Sequence, residues 1–327
     1  MKHPWQFYLT VRKILSGLGL GLCCASVLAQ DYPNKPIRVV IPYGAGTGLD
    51  VLVRSMTDKL GEELKTTLVV ENLPGSNGII GTQAVQRAPA DGYTLLATTQ
   101  SHYTSGLMYK NMPYDPSRFV PVARFGSAQL VMVTAPSHRL LTAQMLITEA
   151  RDKPNSVSFA SLGSGSSAHM AGALLANMAG VQLLHVPYKE ASQALTDTMR
   201  GEPTFNLVAL PTAASQMAAG KLRALAVTGN RRSGSLPDIT TLQESGVPGY
   251  EFVAWYGLFA AEGTPPAVVQ KVSTAVVKVA STPEFKASLD KLGMDAMLDD
   301  AREFNAKLPN ELIRWHKIIQ LTGAKVD

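Results

Sequence analysis

The chain has 327 residues, a formal net charge of +5 and a hydrophobic fraction of 46%. This length predicts about two domains of ordinary size, and the composition is that of a globular protein with a sizeable core. Three of the positive charges, Lys2, Arg12 and Lys13, lie in a segment that we predict to be removed, so the charge does not support a nucleic-acid-binding protein.

The N-terminal segment has the pattern of a secretory signal peptide. Its basic residues precede an apolar run at 14–28, which is short for a bilayer span, and the run ends in Val27-Leu28-Ala29. We therefore predict that residues 1–29 are a signal peptide, cleaved after Ala29, and that the mature protein is exported to the periplasm.

A lipoprotein anchor is the alternative for this segment. Cys23 and Cys24 lie near the required position, but Leu22 is bulky for the residue before a lipidated cysteine. Both cysteines leave with a signal cleaved after Ala29, so we expect no disulfide in the mature chain.

The first part of the mature chain alternates short β-branched runs with helical patterns. Strands are predicted at 37–41, 67–70 and 93–99. An apolar stripe at every fourth residue predicts a helix between the first two strands, formed by Leu52, Met56, Leu60 and Leu64. A second helix is predicted at 77–87, and Asp91-Gly92 forms a turn into the third strand.

A second series of elements follows an extended apolar run at 122–133, which we interpret as a crossover between two lobes. Strands are predicted at 156–161, 183–186, 205–210 and 222–228, and helices at 166–178 and 191–200. The chain then returns to the first lobe, with a strand at 255–261, a helix starting at Pro265 and a helical pattern at 300–322 interrupted at Pro309. This order is typical of α/β architecture with mostly parallel sheets.

Two Gly/Ser loops follow strands and open helices, one within 37–50 and the other within 157–169. A helix start has unpaired backbone amides and a partial positive charge, so it can hold a carboxylate or phosphate without a catalytic side chain. One such loop in each lobe predicts a receptor that closes on an anion.

Several sequence blocks, in a fixed order, carry a resemblance that spans nearly the whole mature chain. They are PYGAGTGLD at 42–50, ENLPG at 71–75, ADGYTLL at 90–96, HVPYK at 185–189, GKLRALAVT at 220–228, LPD at 236–238, ESGVPGY at 244–250 and WYGLFA at 255–260. Together they resemble the Bug receptors of tripartite tricarboxylate transporters.

The resemblance implies a two-lobed periplasmic binding protein of type II-like α/β fold. Each lobe would be a mostly parallel sheet flanked by helices, with the ligand cleft between the lobes. We expect lobe 1 to comprise 30–127 and 229–327, and lobe 2 to comprise 128–228.

The resemblance also implies a function without catalysis. The receptor would capture a small organic carboxylate and deliver it to the membrane permease subunits of a tripartite tricarboxylate transporter. It implies no enzyme activity and no cofactor, and we expect a monomer that binds no nucleic acid.

In such receptors the carboxylate lies between the two strand-to-helix loops and is held largely by backbone amides and small hydroxyls. Carried over to this sequence, the ligand-binding residues would be Tyr43, Gly46, Thr47, Gly48, Asp50, Ser101, His102, Ser161, Gly163, Ser164, Gly165, Ser166, Ser167, His169 and Tyr188. For two of them a structural role is the alternative: Asp50 could equally well cap the first helix, and for His169 packing or capping at the start of its own helix has at least as much support as ligand contact.

The chain departs from the family pattern at positions that bear on the ligand. Thr47 and Leu49 stand where consecutive glycines followed by Thr or Ser are usual, and Thr204 and Val208 stand where aspartates are common. A less polar wall at Val208 and Ala209 would fit a ligand with an apolar or aromatic body.

Other function classes find less support in the sequence. Leu49 occupies the third glycine position of a dinucleotide-binding loop, and the serine-rich loop at 161–167 lacks the G-x-S-x-G of a hydrolase. The histidines of the mature chain have no paired spacing, so we predict no metal site. A secreted α/β enzyme acting on a small carboxylate is the main alternative, and the effector domain of a regulator is a third.

Overall fold

The computed structural model describes residues 32–75, 78–109, 111–163, 166–188 and 190–322. Its strands are β1 (Ile37–Ile41), β2 (Leu68–Asn72), β3 (Thr94–Thr99), β4 (Phe119–Thr134), β5 (Ser158–Ser161), β6 (Leu184–Pro187), β7 (Phe205–Ala209), β8 (Arg223–Val227) and β9 (Val253–Ala261). The predicted signal peptide, residues 1–29, lies outside the described residues.

The helices are α1 (Gly48–Leu64), α2 (Ile79–Gln86), α3 (Ser101–Met108), α4 (Ala143–Asp152), α5 (Ser167–Ala179), α6 (Ala191–Arg200), α7 (Leu210–Ala218), α8 (Pro266–Ala280), α9 (Pro283–Lys291) and α10 (Ala301–Thr322). Most of these elements lie where the sequence pattern predicts them. Four short helices, α3, α4, α7 and α9, were not predicted.

The strands form one mixed sheet in the order β2-β1-β3-β9-β4-β7-β5-β6, with β8 also paired to β4. In the first half β1 is parallel to β2 and β3, and in the second half β5 is parallel to β6 and β7. The long strands β4 and β9 are antiparallel to their neighbours and join the halves. The predicted α/β class is confirmed, with parallel strands at both ends and antiparallel strands at the centre.

Strand β4 is the crossover that the apolar run at 122–133 predicts. Its first part pairs with β9, from Phe119 opposite Ala261 onwards. Its last part pairs with β7 and β8, including Leu130 opposite Ala209. One continuous strand therefore belongs to both halves of the sheet.

Two large apolar cores lie on the helix-covered faces of these halves. The first contains the predicted stripe of α1, namely Leu52, Met56, Leu60 and Leu64, packed with α8 and the sheet. The second is built around Phe159, Leu175 and Phe205. Leu242 and Phe252, which we had assigned to lobe 1, also belong to the second core. The lobe boundaries stay a prediction, and this packing favours moving 229–252 to lobe 2.

Helix α10 differs from the predicted interruption at Pro309, because a single helix runs through the proline. Proline removes one backbone hydrogen bond and normally kinks or ends a helix. Here Leu308 and Leu312 pack on one apolar cluster and Trp315 is buried in the second core. Tertiary packing on both sides of Pro309 holds the helix together.

Candidate functional site

In each half of the sheet, helices begin after the carboxyl ends of parallel strands. Helix α1 follows β1, and α5, α6 and α7 follow β5, β6 and β7. Because β5 is parallel to both β6 and β7, the starts of α5, α6 and α7 meet at the carboxyl ends of these strands. Each start offers unpaired amides and the positive end of a helix dipole, so the arrangement can hold an anion.

In the first loop, Asp50 organises the backbone that precedes α1. Its carboxylate accepts hydrogen bonds from the Gly46 amide at 2.9 Å, Arg54 Nε at 2.9 Å and Asn72 Nδ2 at 3.0 Å. Burial by itself would raise the pKa of Asp50, but these three donors outweigh it and hold the pKa below its usual value. The carboxylate is thus committed to the loop, which favours the structural alternative.

Thr47 is the N-cap of α1, and its hydroxyl accepts from the Asp50 amide at 3.4 Å and donates to the Gly44 carbonyl at 3.0 Å. Gly46 has a φ of +80°, and a Cβ on Gly44 or Gly46 would meet no described atom within 4 Å. The loop therefore presents its backbone to open space.

Gly48 is packed differently. A Cβ at Gly48 would lie 2.7 Å from Met294 Cε, and a Cβ at Gly293 would lie 2.9 Å from Leu210 Cδ2. The turn at 293–294 therefore touches both the start of α1 and the start of α7. This contact brings the helix starts of the two halves to a common region.

Three hydroxyls lie beside the first loop. Tyr43 Oη hydrogen bonds to Ser101 Oγ and lies 3.4 Å from Thr99 Oγ1, and the Thr99 and Ser101 hydroxyls are 2.8 Å apart. Tyr43 and Ser101 were predicted site residues. Thr99 was not a predicted site residue, because it is the last residue of β3 and the prediction covered only residues that follow this strand.

His102, predicted beside Ser101, lies elsewhere. It is 2% exposed and its ring packs against Tyr114 and Phe119, with centroid distances of 5.3 and 4.6 Å. Successive residues of a helix are rotated by about 100°, so Ser101 and His102 of α3 cannot face the same opening. The structure does not bring His102 to the predicted site.

In the second loop, Ser166 is the N-cap of α5, accepting from the His169 amide at 3.3 Å and donating to the Gly163 carbonyl at 2.7 Å. The Ser161 hydroxyl accepts from the Gly163 amide at 3.0 Å and lies 2.6 Å from His185 Nε2. These bonds fix the turn before α5. Ser164 and Gly165, also predicted site residues, lie outside the described residues.

His169 and His185 form a pair of imidazoles on the α5 side of this loop, with ring centroids 4.5 Å apart. Partial burial lowers the pKa of both rings, and the pKa of His169 is lowered further by repulsion from His185. His185 was not predicted, although it directly precedes Val186 in one of the sequence blocks. His185 lies opposite Phe159 in the parallel β5–β6 pair. Phe159 and Ser161 share one face of β5, so His185 can reach the Ser161 hydroxyl.

A cavity of about 300 Å³, which we call the helix-start cavity, opens where α5, α6 and α7 begin. Its lining comprises Ser161, Leu162, Ser166, Ser167 and Ala168 of the second loop and α5, Ala191 and Ala194 of α6, Asn206 to Ala209 of β7, Thr212 of α7 and Leu130 of β4. Neither α6 nor α7 has a side-chain cap on its first turn. Neither of these two helix starts contains glycine, so the glycine-loop pattern does not indicate them.

Tyr188, the remaining predicted site residue, lines a different cavity together with Asp197 and Arg200. Burial and the Asp197 carboxylate raise the pKa of its phenol. The Tyr188 amide donates to the Ser161 carbonyl at 2.8 Å, but the Tyr188 side chain lies in this second cavity and not with the loops.

Within the described ranges, no cluster of three or more His, Cys, Asp or Glu side chains has the arrangement of a metal site. Over the same residues, no helix is both long enough and apolar enough to cross a membrane.

Known proteins similar to this chain point to one family. The model of the tripartite tricarboxylate transporter family receptor matches residues 52–324. A protein of Pseudomonas sp. (strain P51), described as the UPF0065 protein in the tcbD-tcbE intergenic region, is 35% identical over 94% of this chain and 93% of its own length. BugT of Bordetella pertussis is 29% identical over 97% of this chain and 100% of its own.

Solved structures agree with the fold derived above. R. palustris Rpa4515 with adipate has 30% identity and a TM-score of 0.74, covering 90% of this chain and 100% of that one. The periplasmic binding protein BugD has 29% identity and a TM-score of 0.71, and the match covers 90% of this chain and 99% of BugD. The predicted periplasmic-binding-protein fold is thus confirmed, and the chain belongs to the receptor family of the tripartite tricarboxylate transporters.

Proposed function

We propose that the chain is an extracytoplasmic solute-binding receptor that captures a small organic carboxylate between its two lobes and passes it to a tripartite tricarboxylate-type membrane transporter. The observation that carries this proposal is the convergence of the starts of α5, α6 and α7 on one cavity whose described lining contains no charged side chain. Backbone amides and helix dipoles then supply the positive potential that a carboxylate needs.

The relatives support the ligand class. Rpa4515 is described with adipate, a carboxylate, and all of it matches 90% of this chain. In the proposed site, the amides at the starts of α1 and α5 hold the carboxylate, with Thr47, Ser161, Ser166 and Ser167 around them. The permease subunits of the transporter are the proposed partner, and no catalytic step or cofactor is required.

The proposed location is the periplasm. The basic residues, the apolar run at 14–28 and the small residue Ala29 support export and cleavage after Ala29. N-terminal sequencing of the exported protein tests this site, and a mature chain that begins at Gln30 is expected.

An enzyme is the second candidate, because Ser161 and His185 lie within hydrogen-bonding distance, as a nucleophile and its base would. Two features speak against it. Ser161 is 2% exposed and its hydroxyl is engaged with Gly163. Among the described residues, no carboxylate forms a hydrogen bond or ion pair with His185, so the group that orients a catalytic base is missing there.

A thermal-shift screen of the mature protein tests the proposal. The panel contains dicarboxylates, tricarboxylates, acidic amino acids, aromatic acids and nicotinamide cofactors. A ligand present at 100 times its Kd stabilises the folded state by about 2.7 kcal/mol, so a binding acid gives a clear rise in Tm. A rise with a nicotinamide cofactor alone, or turnover of the bound acid, would overturn the receptor assignment.

Two glycines provide a matched test of the second loop. Gly163 and Gly201 have φ values of +97° and +98°, and a Cβ at either would meet no described atom within 4 Å. Replacing either glycine by Leu therefore strains the backbone similarly, by about 1–2 kcal/mol. Gly163 precedes α5, whereas Gly201 follows the far end of α6.

Gly163→Leu is expected to abolish the ligand-induced rise in Tm, since its side chain covers the amides before α5. Gly201→Leu is expected to bind as the wild type does, with a similar loss of unliganded stability. Equal ligand affinity of both variants, measured by isothermal titration calorimetry, would show that the loop at 163 is not the binding site.

A further inference from the structure

The helix-start cavity combines a polar anchor with walls that are largely hydrocarbon. The anchor is the first turn of α5, which supplies the backbone amides of Ser167 and Ala168 and the Ser167 hydroxyl. Much of the remaining lining consists of Leu130, Ala191, Ala194, Val208 and Ala209. None of these five side chains can donate or accept a hydrogen bond.

The polar side chains of the lining outside the anchor and the second loop are few, and the remaining polar groups there include backbone amides at the starts of α6 and α7. These side chains are those of Asn206 and Thr212, and the described lining includes no Lys, Arg, Asp or Glu. A carboxylate at the anchor therefore directs the rest of the ligand towards a surface on which most groups are methyl or methylene. At about 300 Å³, the cavity is at the small end of the range for ligand sites, which suits a small acid.

We propose that this receptor selects acids with a hydrocarbon body, aliphatic or aromatic, over hydroxylated acids of the same length and charge. The inference rests on the proposed receptor function and specifies its substrate class. A ligand hydroxyl that faces the side chains of Leu130, Ala194 or Val208 loses its hydrogen bonds to water and gains none from these side chains. Hydrophobic pockets reject an added hydroxyl by up to about 100-fold.

Calorimetric titration of the mature protein with matched acids tests this selectivity. Succinate, malate and tartrate share four carbons and two carboxylates but have zero, one and two hydroxyls. Adipate and mucate share six carbons and differ by four hydroxyls, and benzoate represents the aromatic acids. In whichever of the four-carbon and six-carbon series binds, we expect the Kd of the hydroxylated acid to be about 10- to 100-fold higher than that of the unsubstituted acid.

The outcomes separate this inference from the receptor assignment. Binding of malate, tartrate or mucate as tightly as the unsubstituted acids would overturn the inference and leave the receptor assignment intact. Failure of every carboxylate to bind would overturn both. Binding of benzoate alone would support the inference and identify the body as aromatic.

A pair of isosteric variants assigns the selectivity to the wall. Val208→Thr introduces one hydroxyl on β7 at the cavity, whereas Val186→Thr introduces it on β6, in the separate cavity that contains Asp197. Both valines are partly exposed. Val208→Thr is expected to reduce the preference for the unsubstituted acid by at least about fivefold, because its hydroxyl can pair with that of the ligand.

Val186→Thr is expected to leave the ratio of the two Kd values unchanged. A general loss of stability weakens the binding of both acids alike, so it does not change the ratio of their Kd values. Identical ratios in the wild type and Val208→Thr would overturn the assignment of Val208 as a wall of the ligand site.

Discussion

At the scale of single residues, His102 illustrates how burial changes the chemistry of a side chain. Its ring lies in a cage of Tyr103, Tyr114, Phe119 and Phe259, with the Tyr114 ring stacked on it at an interplanar angle of 5°. Removal from water disfavours the charged imidazolium and lowers the pKa of His102 to about 3. The residue is thus a neutral part of an aromatic core.

This shift predicts a pH dependence of folding. The folded-state pKa lies below the unfolded value of about 6.5, so the unfolded chain binds the extra proton. The contribution of His102 to stability is complete above pH 6.5 and is lost as the pH falls from 6.5 towards 3, at up to about 1.4 kcal/mol per pH unit.

Urea unfolding of the wild type and of His102→Phe between pH 7 and pH 4.5 measures this contribution. The free energy of unfolding should fall less steeply with decreasing pH in the variant, which cannot titrate at this position. Parallel curves for the two proteins would contradict a neutral, buried His102.

At the scale of elements, a buried ion pair fixes the segment before α10 to the crossover strand β4. Arg124 Nε donates to Asp299 Oδ2 at 2.5 Å, and the two residues also exchange backbone hydrogen bonds of 3.0 and 3.1 Å. Their side chains are 4% and 3% exposed. Lys307 of α10 adds a second cation to Asp299.

Removing Arg124 leaves a buried carboxylate with only part of its compensation. Arg124→Leu is therefore expected to lower the free energy of unfolding by about 3–5 kcal/mol. Arg118, just before β4, provides the control: its pair with Glu262 has side-chain exposures of 57% and 60%. Arg118→Leu should change stability by less than about 1 kcal/mol. Similar losses in both variants, measured by urea unfolding, would contradict the structural role of the buried pair.

At the scale of the whole molecule, β4 and β9 connect two halves that each bring helix starts to the proposed site. The start of α1 comes from the first half, and the starts of α5, α6 and α7 come from the second. A ligand that contacts both sets of amides would favour a conformation in which they approach each other.

Small-angle X-ray scattering of the mature protein, with and without the acid that raises Tm most, tests this closure. The radius of gyration is expected to decrease on ligand addition in the wild type and to stay constant in Gly163→Leu. An unchanged radius at saturating ligand in the wild type would show that capture occurs without closure.

More of the fold than of the candidate site could be predicted from the sequence. Apolar periodicity identified α1, and β-branched runs identified the strands, because these patterns are local. Helix α7 was missed because the run at 205–210 continues as a strand pattern, whereas Pro211 in the first turn begins a helix at Leu210. The start of α7 forms part of the cavity wall, so the missed helix also left this part of the site unpredicted.

Within the site, the loops were predicted correctly as loops before helices, but the roles of their side chains were not determined. The sequence supports a capping role and a ligand contact equally for Asp50. The structure favours the structural role, because Arg54 and Asn72 donate to its carboxylate. Asn72 is 22 positions away in the sequence. No local pattern indicates such a contact, and the same is true of the Ser161–His185 bond.

The sequence by itself determined the α/β class, the crossover at 122–133, the two helix-opening loops and the family, because each depends on local periodicity, turn chemistry or ordered motifs. Only the tertiary structure decided which helix starts share a cavity, that Val208 lies on its wall, and that the side chains of His102 and Tyr188 lie outside it. Strand order and packing bring distant residues together, and neither is encoded at any one position along the chain.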